Sequence, residues 1–114
     1  MITLYGITNC DTIRRARSWL SDHHIDYRFH DFRKDGLDEK LLKQWAKKLG
    51  WETLLNKRGL TWRRLDDDIR SNVDEKSAIE IMLDNPAIVK RPVLEAGKTL
   101  EVGFNEDRYR KLLT

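Results

Sequence analysis

Cysteine is nearly absent from this sequence, which has one among its 114 residues. A single cysteine excludes an intrachain disulfide framework, a dithiol redox motif within the chain and any site that needs two thiolate ligands. No apolar run approaches the roughly 20 residues of a membrane-spanning helix, and no basic leader opens the chain. We therefore expect a cytoplasmic protein with no membrane partner.

Long runs of one charge are also missing. Lys and Arg number 22 and Asp and Glu 19, a formal net charge of +3. Arg63 and Arg64 are followed at once by the acidic residues 66–68, so no long basic stripe forms and we expect no nucleic-acid partner. The three histidines lack a metal-ligand spacing, so no metal site is predicted.

The first third of the chain predicts a βαβ unit. Residues 2–5 alternate between apolar and polar side chains and end at Gly6, which indicates a short strand. Apolar side chains then recur at helical spacing over residues 12–23, and residues 26–32 alternate again. Because a helix joins the two strands, we expect them to be parallel. Cys10 then lies in the loop between the first strand and the helix.

The middle of the chain predicts three helices. Their apolar residues and breakers place them at about 37–50, 51–57 and 73–83. Asn72 is the expected N-cap of the third helix.

The last part predicts a hairpin and a helix. Two short alternating runs, residues 93–96 and 99–102, flank a turn that contains Gly97, and Asn105 is placed to cap a final helix. The order β-α-β-(α)₃-β-β-α predicts one α/β domain over residues 1–114. Its helical insertion, at about 37–86, separates a βαβ half from a ββα half.

Cys10 is the first candidate for chemistry. The free N–H groups and the positive dipole end of the following helix would lie near its sulfur and favour the thiolate, the reactive form of cysteine. Arg14 adds positive potential in the first turns of that helix. The alternative is that Cys10 is a small core residue, as many free cysteines are. Its polar neighbours, such as Thr8 and Thr12, favour the reactive interpretation.

Arg91-Pro92 is the second candidate. A proline at a strand entrance keeps the preceding residue extended, and a guanidinium at that position has the geometry to bind a carboxylate or another oxyanion. The alternative is a surface arginine that precedes a turn.

These motifs together carry a resemblance. Residues 6–12 (GITNCDT) before a helix, a helical middle, Arg91-Pro92-Val93 and Gly103-Phe-Asn-Glu follow in an order that resembles the arsenate reductase (ArsC)/Spx family. The match is closest to its YffB-type branch and covers essentially the whole chain.

The resemblance implies a thioredoxin-like (glutaredoxin-like) fold: a mixed four-stranded sheet with a helical insertion. It implies that Cys10 is the active cysteine and that Pro92 is a cis proline beside it. In glutathione-using members of that fold, the backbone before this proline pairs with the glutathione backbone. Arg91 would therefore hold both the tripeptide and an oxyanion, and Thr12 would help to stabilise the sulfur anion.

Two departures from the family separate the possible activities. Arsenate reductases use two further arginines, and those positions fall near Asn56 and Gly103 here, with Arg58 as a nearby substitute. Many Spx regulators carry a Cys-x-x-Cys switch, whose second position is Ile13 in this chain. Asn9, Arg14 and Arg58 remain candidate contacts for an oxyanion or substrate.

We therefore predict an enzyme, a glutathione-dependent monothiol thiol-disulfide reductase. Cys10 and Arg91 would be catalytic, and Thr12, Arg91 and Pro92 would bind glutathione. Glutathione would be a co-substrate, with no tightly bound cofactor, and an oxidised thiol would be the substrate. The alternatives are an arsenate or other oxyanion reductase coupled to glutathione and glutaredoxin, and an Spx-like protein that binds RNA polymerase without catalysis.

Overall fold

The sheet has four strands in the order β2-β1-β3-β4. A computed structural model describes residues 2–8 and 10–114 and gives the strands as β1 (Ile2–Gly6), β2 (Arg28–Asp31), β3 (Val93–Ala96) and β4 (Thr99–Val102). β1 is parallel to β2, whereas β3 is antiparallel to both β1 and β4. The predicted thioredoxin-like class, a mixed sheet with βαβ and ββα halves, is confirmed.

Seven α-helices occur in the described part of the chain. They are α1 (Asp11–Asp22), α2 (Glu39–Leu49), α3 (Trp51–Leu54), α4 (Leu60–Arg63), α5 (Asp67–Ser71), α6 (Glu75–Asp84) and α7 (Glu106–Leu113), and a 3-10 helix spans Pro86–Ile88. None of these helices has the length and apolar character needed to cross a bilayer.

The described chain divides into two compact units. The sheet unit extends up to Asp35 and resumes at Arg91, and the helical unit spans Gly36–Lys90. The predicted single domain with an insertion at about 37–86 stays a prediction.

α1 and α7 pack against one face of the sheet. Alternation along the strands places Leu4 and Leu94 on this face, where they are register partners in β1 and β3. Both are fully buried in one cluster with Ala16 and Leu20 of α1 and Tyr109 of α7. The 3.6-residue periodicity of α1 therefore corresponds to its buried face, as the sequence predicts.

Strand direction places the starts of both helices at the same edge of the sheet. β1 and β4 are each antiparallel to β3 and so run in the same direction. α1 follows β1 and α7 follows β4, so both helices begin at the carboxyl edge of these strands. Asn105 caps α7 as predicted, accepting a hydrogen bond from the Arg108 N–H at 3.1 Å.

The helical unit contains more helices than predicted. Three were expected, but its described residues form five α-helices and the 3-10 helix. α4 and α5 were missed because they have four and five residues, too short to show a helical apolar period. The second predicted helix ends at Leu54, before the expected residue 57, because Leu55 leaves the helix and forms a β-bridge with Val89.

The N-cap predicted for the third helix of the middle segment, which is α6 in the structure, is wrong. Asn72 is the C-cap of α5, and its side-chain amide donates to the Asp68 carbonyl at 2.7 Å. Asp74 caps α6 instead: its carboxylate accepts from the Ser77 N–H, and the Ser77 hydroxyl accepts from the Asp74 N–H, both at 2.9 Å. This reciprocal pair is a capping box, with Ser at the position usually taken by Glu or Gln.

Candidate active site at Cys10

Cys10 is the N-cap residue of α1. Its backbone is extended (φ −133°, ψ 128°), and its carbonyl accepts the first helical hydrogen bond from the Arg14 N–H at 3.0 Å. The residue is half-buried and its thiol is free. The expected placement of the chain's cysteine at the junction of β1 and α1 is therefore correct.

Among the residues that the structure describes, no side chain caps the amino end of α1. The Cys10 side chain makes no capping hydrogen bond, and the Thr12 N–H donates to no other residue that the structure describes. Free N–H groups and the helix dipole give this end a positive potential. The first turn thus has unused donors next to the sulfur-bearing residue.

Gly6 allows α1 to lie close to β1. A Cβ atom at Gly6 would be 2.2 Å from Cδ1 of Ile13, which is fully buried in α1. Real Cβ atoms essentially never approach so closely. The missing side chain therefore sets the distance between strand and helix and, through it, the position of Cys10. In the sequence, Gly6 indicates only the end of the first strand and the start of the GITNCDT motif.

Arg91 and Pro92 lie at the edge of the sheet from which the Cys10 loop emerges. Register pairs Tyr5 with Val93, so the residues after β1 and those before β3 are neighbours. The Arg91-Pro92 peptide bond is cis, as the resemblance implies, and Pro92 is buried. The structure thus brings Cys10, Thr12, Arg91 and Pro92 to one edge of the sheet unit.

The backbone of Arg91 has unused hydrogen-bonding capacity. The Pro92 carbonyl accepts from the Gly103 N–H at 2.8 Å, which ties the proline to the residue after β4. Within the described residues, the N–H and the carbonyl of Arg91 have no hydrogen-bond partner, and its guanidinium forms no ion pair. Arg91 is therefore equipped to receive an extended peptide, an oxyanion or both.

The structure describes two of the other three candidate contacts, Arg14 and Arg58. Arg14 is exposed and forms an ion pair with Asp11 on the first turn of α1. Arg58 belongs to the helical unit, where it borders a pocket of about 470 Å³ together with Asn56 and Lys90. Asn9 lies outside the described residues. Its predicted contact, like the predicted role of Arg58, stays a prediction.

Two tyrosines of the sheet unit have raised pKa values. Burial, followed by the negative charge of Glu95, raises the pKa of Tyr5, whose hydroxyl donates to Glu95 at 3.3 Å. Burial, followed by the charge of Glu101, raises the pKa of Tyr109. Both tyrosines therefore stay neutral at physiological pH. The described residues contain no group of three or more His, Cys, Asp or Glu side chains that could hold a metal ion.

Comparison with known proteins settles the family. The sequence profile of the ArsC family matches residues 5–112. The chain belongs to the ArsC family. This membership supports a reductase-type activity in general terms, and the resemblance that the sequence motifs indicate is confirmed.

Individual relatives differ in what is known of them. The chain is 45% identical to a YffB protein of known structure, with full coverage of both chains and a TM-score of 0.97. It is 54% identical to an arsenate reductase (ArsC) related protein of Brucella melitensis, covering 96% of this chain and 92% of that one with a TM-score of 0.80. It is also 32% identical to the global transcriptional regulator Spx of Staphylococcus aureus, over 99% of this chain and 87% of the regulator. The ArsC family thus includes relatives of more than one functional class.

Proposed function

We propose that this ArsC-family chain is a monothiol thiol-disulfide reductase that uses glutathione as its second thiol. The observation that carries the proposal is the position of Cys10, the chain's one cysteine, at the amino end of α1, which no side chain among the described residues caps. In this proposal Cys10 attacks as the thiolate, which is the nucleophile in disulfide exchange. With no second cysteine in the chain, a thiol from outside must complete the cycle.

The reaction has two exchange steps. The Cys10 thiolate attacks the glutathione sulfur of a glutathionylated substrate, so the substrate disulfide breaks and the substrate thiolate leaves and takes up a proton. Cys10 is then joined to glutathione by a new disulfide. A second glutathione thiolate attacks this mixed disulfide at the glutathione sulfur, which releases oxidised glutathione and restores the Cys10 thiolate. In the net reaction one glutathione thiol is oxidised, the glutathione unit of the substrate leaves as the other half of oxidised glutathione, and the substrate cysteine is reduced to a thiol.

Arg91 and Thr12 supply the binding groups in this proposal. The free N–H and carbonyl of Arg91 would pair with the peptide backbone of glutathione, and its guanidinium would attract a carboxylate. Pro92, fixed to β4 through the Gly103 N–H, would keep this backbone in place. The Thr12 N–H would stabilise the sulfur anion that forms in each exchange step.

A turnover assay tests the nucleophile. We expect wild-type protein to reduce a glutathionylated peptide with glutathione as reductant and glutathione reductase to report oxidised glutathione. Cys10→Ser should lose this activity, whereas Ser21→Ala, a change of an exposed residue near the carboxyl end of the same helix, should keep it. Equal activity in Cys10→Ser and wild type would refute the proposal.

Glutathione binding is a separate test. NMR titration of wild-type protein with glutathione should shift the signals of Thr12 and Arg91, with saturation in the millimolar range or below. Arg91→Ala should weaken binding, and Arg91→Lys should recover only part of it because lysine lacks the planar fork of donors. Shifts that avoid this edge of the sheet would show that glutathione is not the second thiol.

Assays on the same protein test two other functions. An oxyanion reductase is favoured by the guanidinium of Arg58, which forms no ion pair among the described residues. Turnover of arsenate with glutathione and glutaredoxin, lost in Arg58→Ala, would identify it. An Spx-like role is favoured by the 32% identity to that regulator. Binding of purified RNA polymerase that persists in Cys10→Ala would favour that role over catalysis.

A further inference from the structure

A groove runs along the outer side of α1 in the sheet unit. Its volume is about 670 Å³, and its walls are the exposed face of α1 and the first residues of α7. Positions 15, 18 and 22 of α1 line it, at the i, i+3 and i+7 spacing of one helix face. Arg14, whose N–H bonds to the Cys10 carbonyl, also lines it, so the groove starts one helical turn from the thiol.

The charges in this α1–α7 groove are of both signs and are largely unused. Arg15 lies toward the amino end of α1, Asp22 lies at its carboxyl end, and Glu106 belongs to the first turn of α7. Among the residues that the structure describes, these three side chains have no ion-pair partner within 4.0 Å. A ligand that fits must therefore carry a negative group and a positive group.

The spacing of these charges sets the length of the ligand. Arg15 and Asp22 are seven residues apart on α1, which at 1.5 Å per residue is about 10 Å along the helix axis. An extended peptide covers about 3.3 Å per residue, so three residues span this distance. The partly exposed Phe104 provides aromatic surface in the groove beside the edge of the largely buried Trp19, and Ser18 lines the same side of α1.

We propose that the α1–α7 groove binds a short extended segment of a polypeptide substrate. An acidic residue of the segment contacts Arg15, and a basic residue about three positions away contacts Asp22. Apolar atoms between them cover Phe104 and the edge of Trp19. A simple inorganic oxyanion does not fit this groove, because its lining has more carboxylates than cations.

This inference rests on the proposed function, because it identifies the substrate class of the Cys10 site. Since the groove begins one turn from Cys10, a segment bound there places a neighbouring part of the same polypeptide at the thiol. The substrate is then a glutathionylated protein that is recognised through charged residues flanking its modified cysteine. Small disulfides would react without using the groove.

Peptide binding tests the groove without any redox step. The probe is the acetylated and amidated tetrapeptide Glu-Leu-Ala-Arg, followed by NMR on the full chain. It should shift the Ser18 amide and the Trp19 indole signals, and Arg15→Glu should weaken binding about two- to fivefold, the range of an exposed ion pair. Lys111→Glu, which makes the same charge change on α7 outside the groove lining, should leave binding unchanged.

A charge swap sharpens the binding test. The double variant Arg15→Glu/Asp22→Arg should prefer the reversed peptide Arg-Leu-Ala-Glu. Equal binding of both peptides by this variant, equal binding of the uncharged peptide Gln-Leu-Ala-Gln by wild type, or shifts that avoid Ser18 and Trp19 would each overturn the inference.

Kinetics separates failure of the groove from failure of the proposed function. With glutathionylated peptides, Arg15→Glu should lower kcat/KM about two- to fivefold for an acid-flanked cysteine and leave the reduction of bis(2-hydroxyethyl) disulfide unchanged. An equal loss on both substrates would overturn the groove assignment and leave the role of Cys10 intact. Specific peptide binding without reduction of either disulfide would overturn the proposed function and, with it, the assignment of this peptide as substrate.

Discussion

Replacing Tyr109 by Phe should make the protein more stable. The Tyr109 side chain is fully buried, and its hydroxyl has no hydrogen-bond partner among the described residues. A buried polar group without a partner costs about 1–3 kcal/mol. The ring packs edge-on against Trp19 at 5.7 Å and Phe104 at 4.9 Å between centroids, and phenylalanine keeps both contacts. We expect the free energy of unfolding to rise by about 1 kcal/mol, a shift in Tm of about 4 °C.

Alkaline pH gives this prediction a second readout. Burial raises the pKa of Tyr109, so the hydroxyl stays neutral in the folded protein above pH 10, where the unfolded chain releases its proton. The free energy of unfolding is therefore unaffected by this group below the unfolded pKa. Above it, the free energy of unfolding falls by about 1.4 kcal/mol per pH unit. Tyr109→Phe should remove this part of the loss of stability at alkaline pH.

Urea unfolding at pH 7 and above pH 10 is the assay, and Tyr27→Phe is the matched control. The Tyr27 hydroxyl accepts a hydrogen bond from Arg17 Nε at 3.0 Å, so its removal should lower the free energy of unfolding by about 1 kcal/mol. Opposite signs for the two variants support the structural account. A loss of stability in Tyr109→Phe as large as that in Tyr27→Phe would show that the Tyr109 hydroxyl stabilises the fold, which is the opposite of the prediction.

Three further predictions concern the close contact at Gly6 and the caps of two helices. Gly6→Ala should destabilise the fold by about 1–3 kcal/mol in urea unfolding, because the added methyl group clashes with Ile13. Ile13→Val should offset part of this loss in the double variant. Additive effects of the two substitutions would contradict the close approach of Gly6 and Ile13. Asn105→Ala should cost about 1 kcal/mol and Asn105→Ser much less, because serine also caps helices; equal losses would exclude the capping role. The backbone hydrogen bond from Ser77 lowers the pKa of Asp74 from its ordinary value, so the stability that the Asp74 carboxylate contributes is present above the unfolded pKa and is lost as the pH falls through the folded pKa. In thermal unfolding, Asp74→Asn should remove this acid dependence, and an unchanged loss of stability at acid pH would contradict it.

The sheet unit could be predicted closely because its signals are local. Gly97 and Lys98 separate two alternating runs, and the hairpin occurs at the predicted residues. Asn105 followed by Glu106 and Asp107 combines a cap with acidic residues near the helix dipole, and α7 begins there. Such signals depend on a few neighbouring residues, so the sequence contains all that is needed.

The helical unit was harder because competing signals are close together. Asn72 and Asp74 are both good caps two residues apart, and only the end of α5 decides that Asn72 closes one helix while Asp74 begins the next. α4 and α5 are shorter than two turns, so their residues looked like charge runs.

The candidate site also has one feature that local sequence predicts and others that depend on long-range pairing. Cys10 at the start of a helix was visible in the sequence, whereas its position beside Arg91 and Pro92 depends on the pairing of β1 with β3. That pairing joins residues about 90 positions apart, and residue spacing alone does not give it. The α1–α7 groove has the same origin, because it exists only where two distant helices begin at one edge of the sheet.

Mass spectrometry of the intact protein during turnover tests directly whether Cys10 forms a disulfide with glutathione. The wild-type chain, mixed with a glutathionylated peptide and no free glutathione, should accumulate one glutathione on Cys10 and release one peptide thiol. Adding glutathione should clear this mixed disulfide and produce oxidised glutathione, and Cys10→Ser should do neither. Peptide reduction without a Cys10–glutathione disulfide, or reduction by Cys10→Ser at the wild-type rate, would contradict the role of Cys10 as the nucleophile that accepts glutathione.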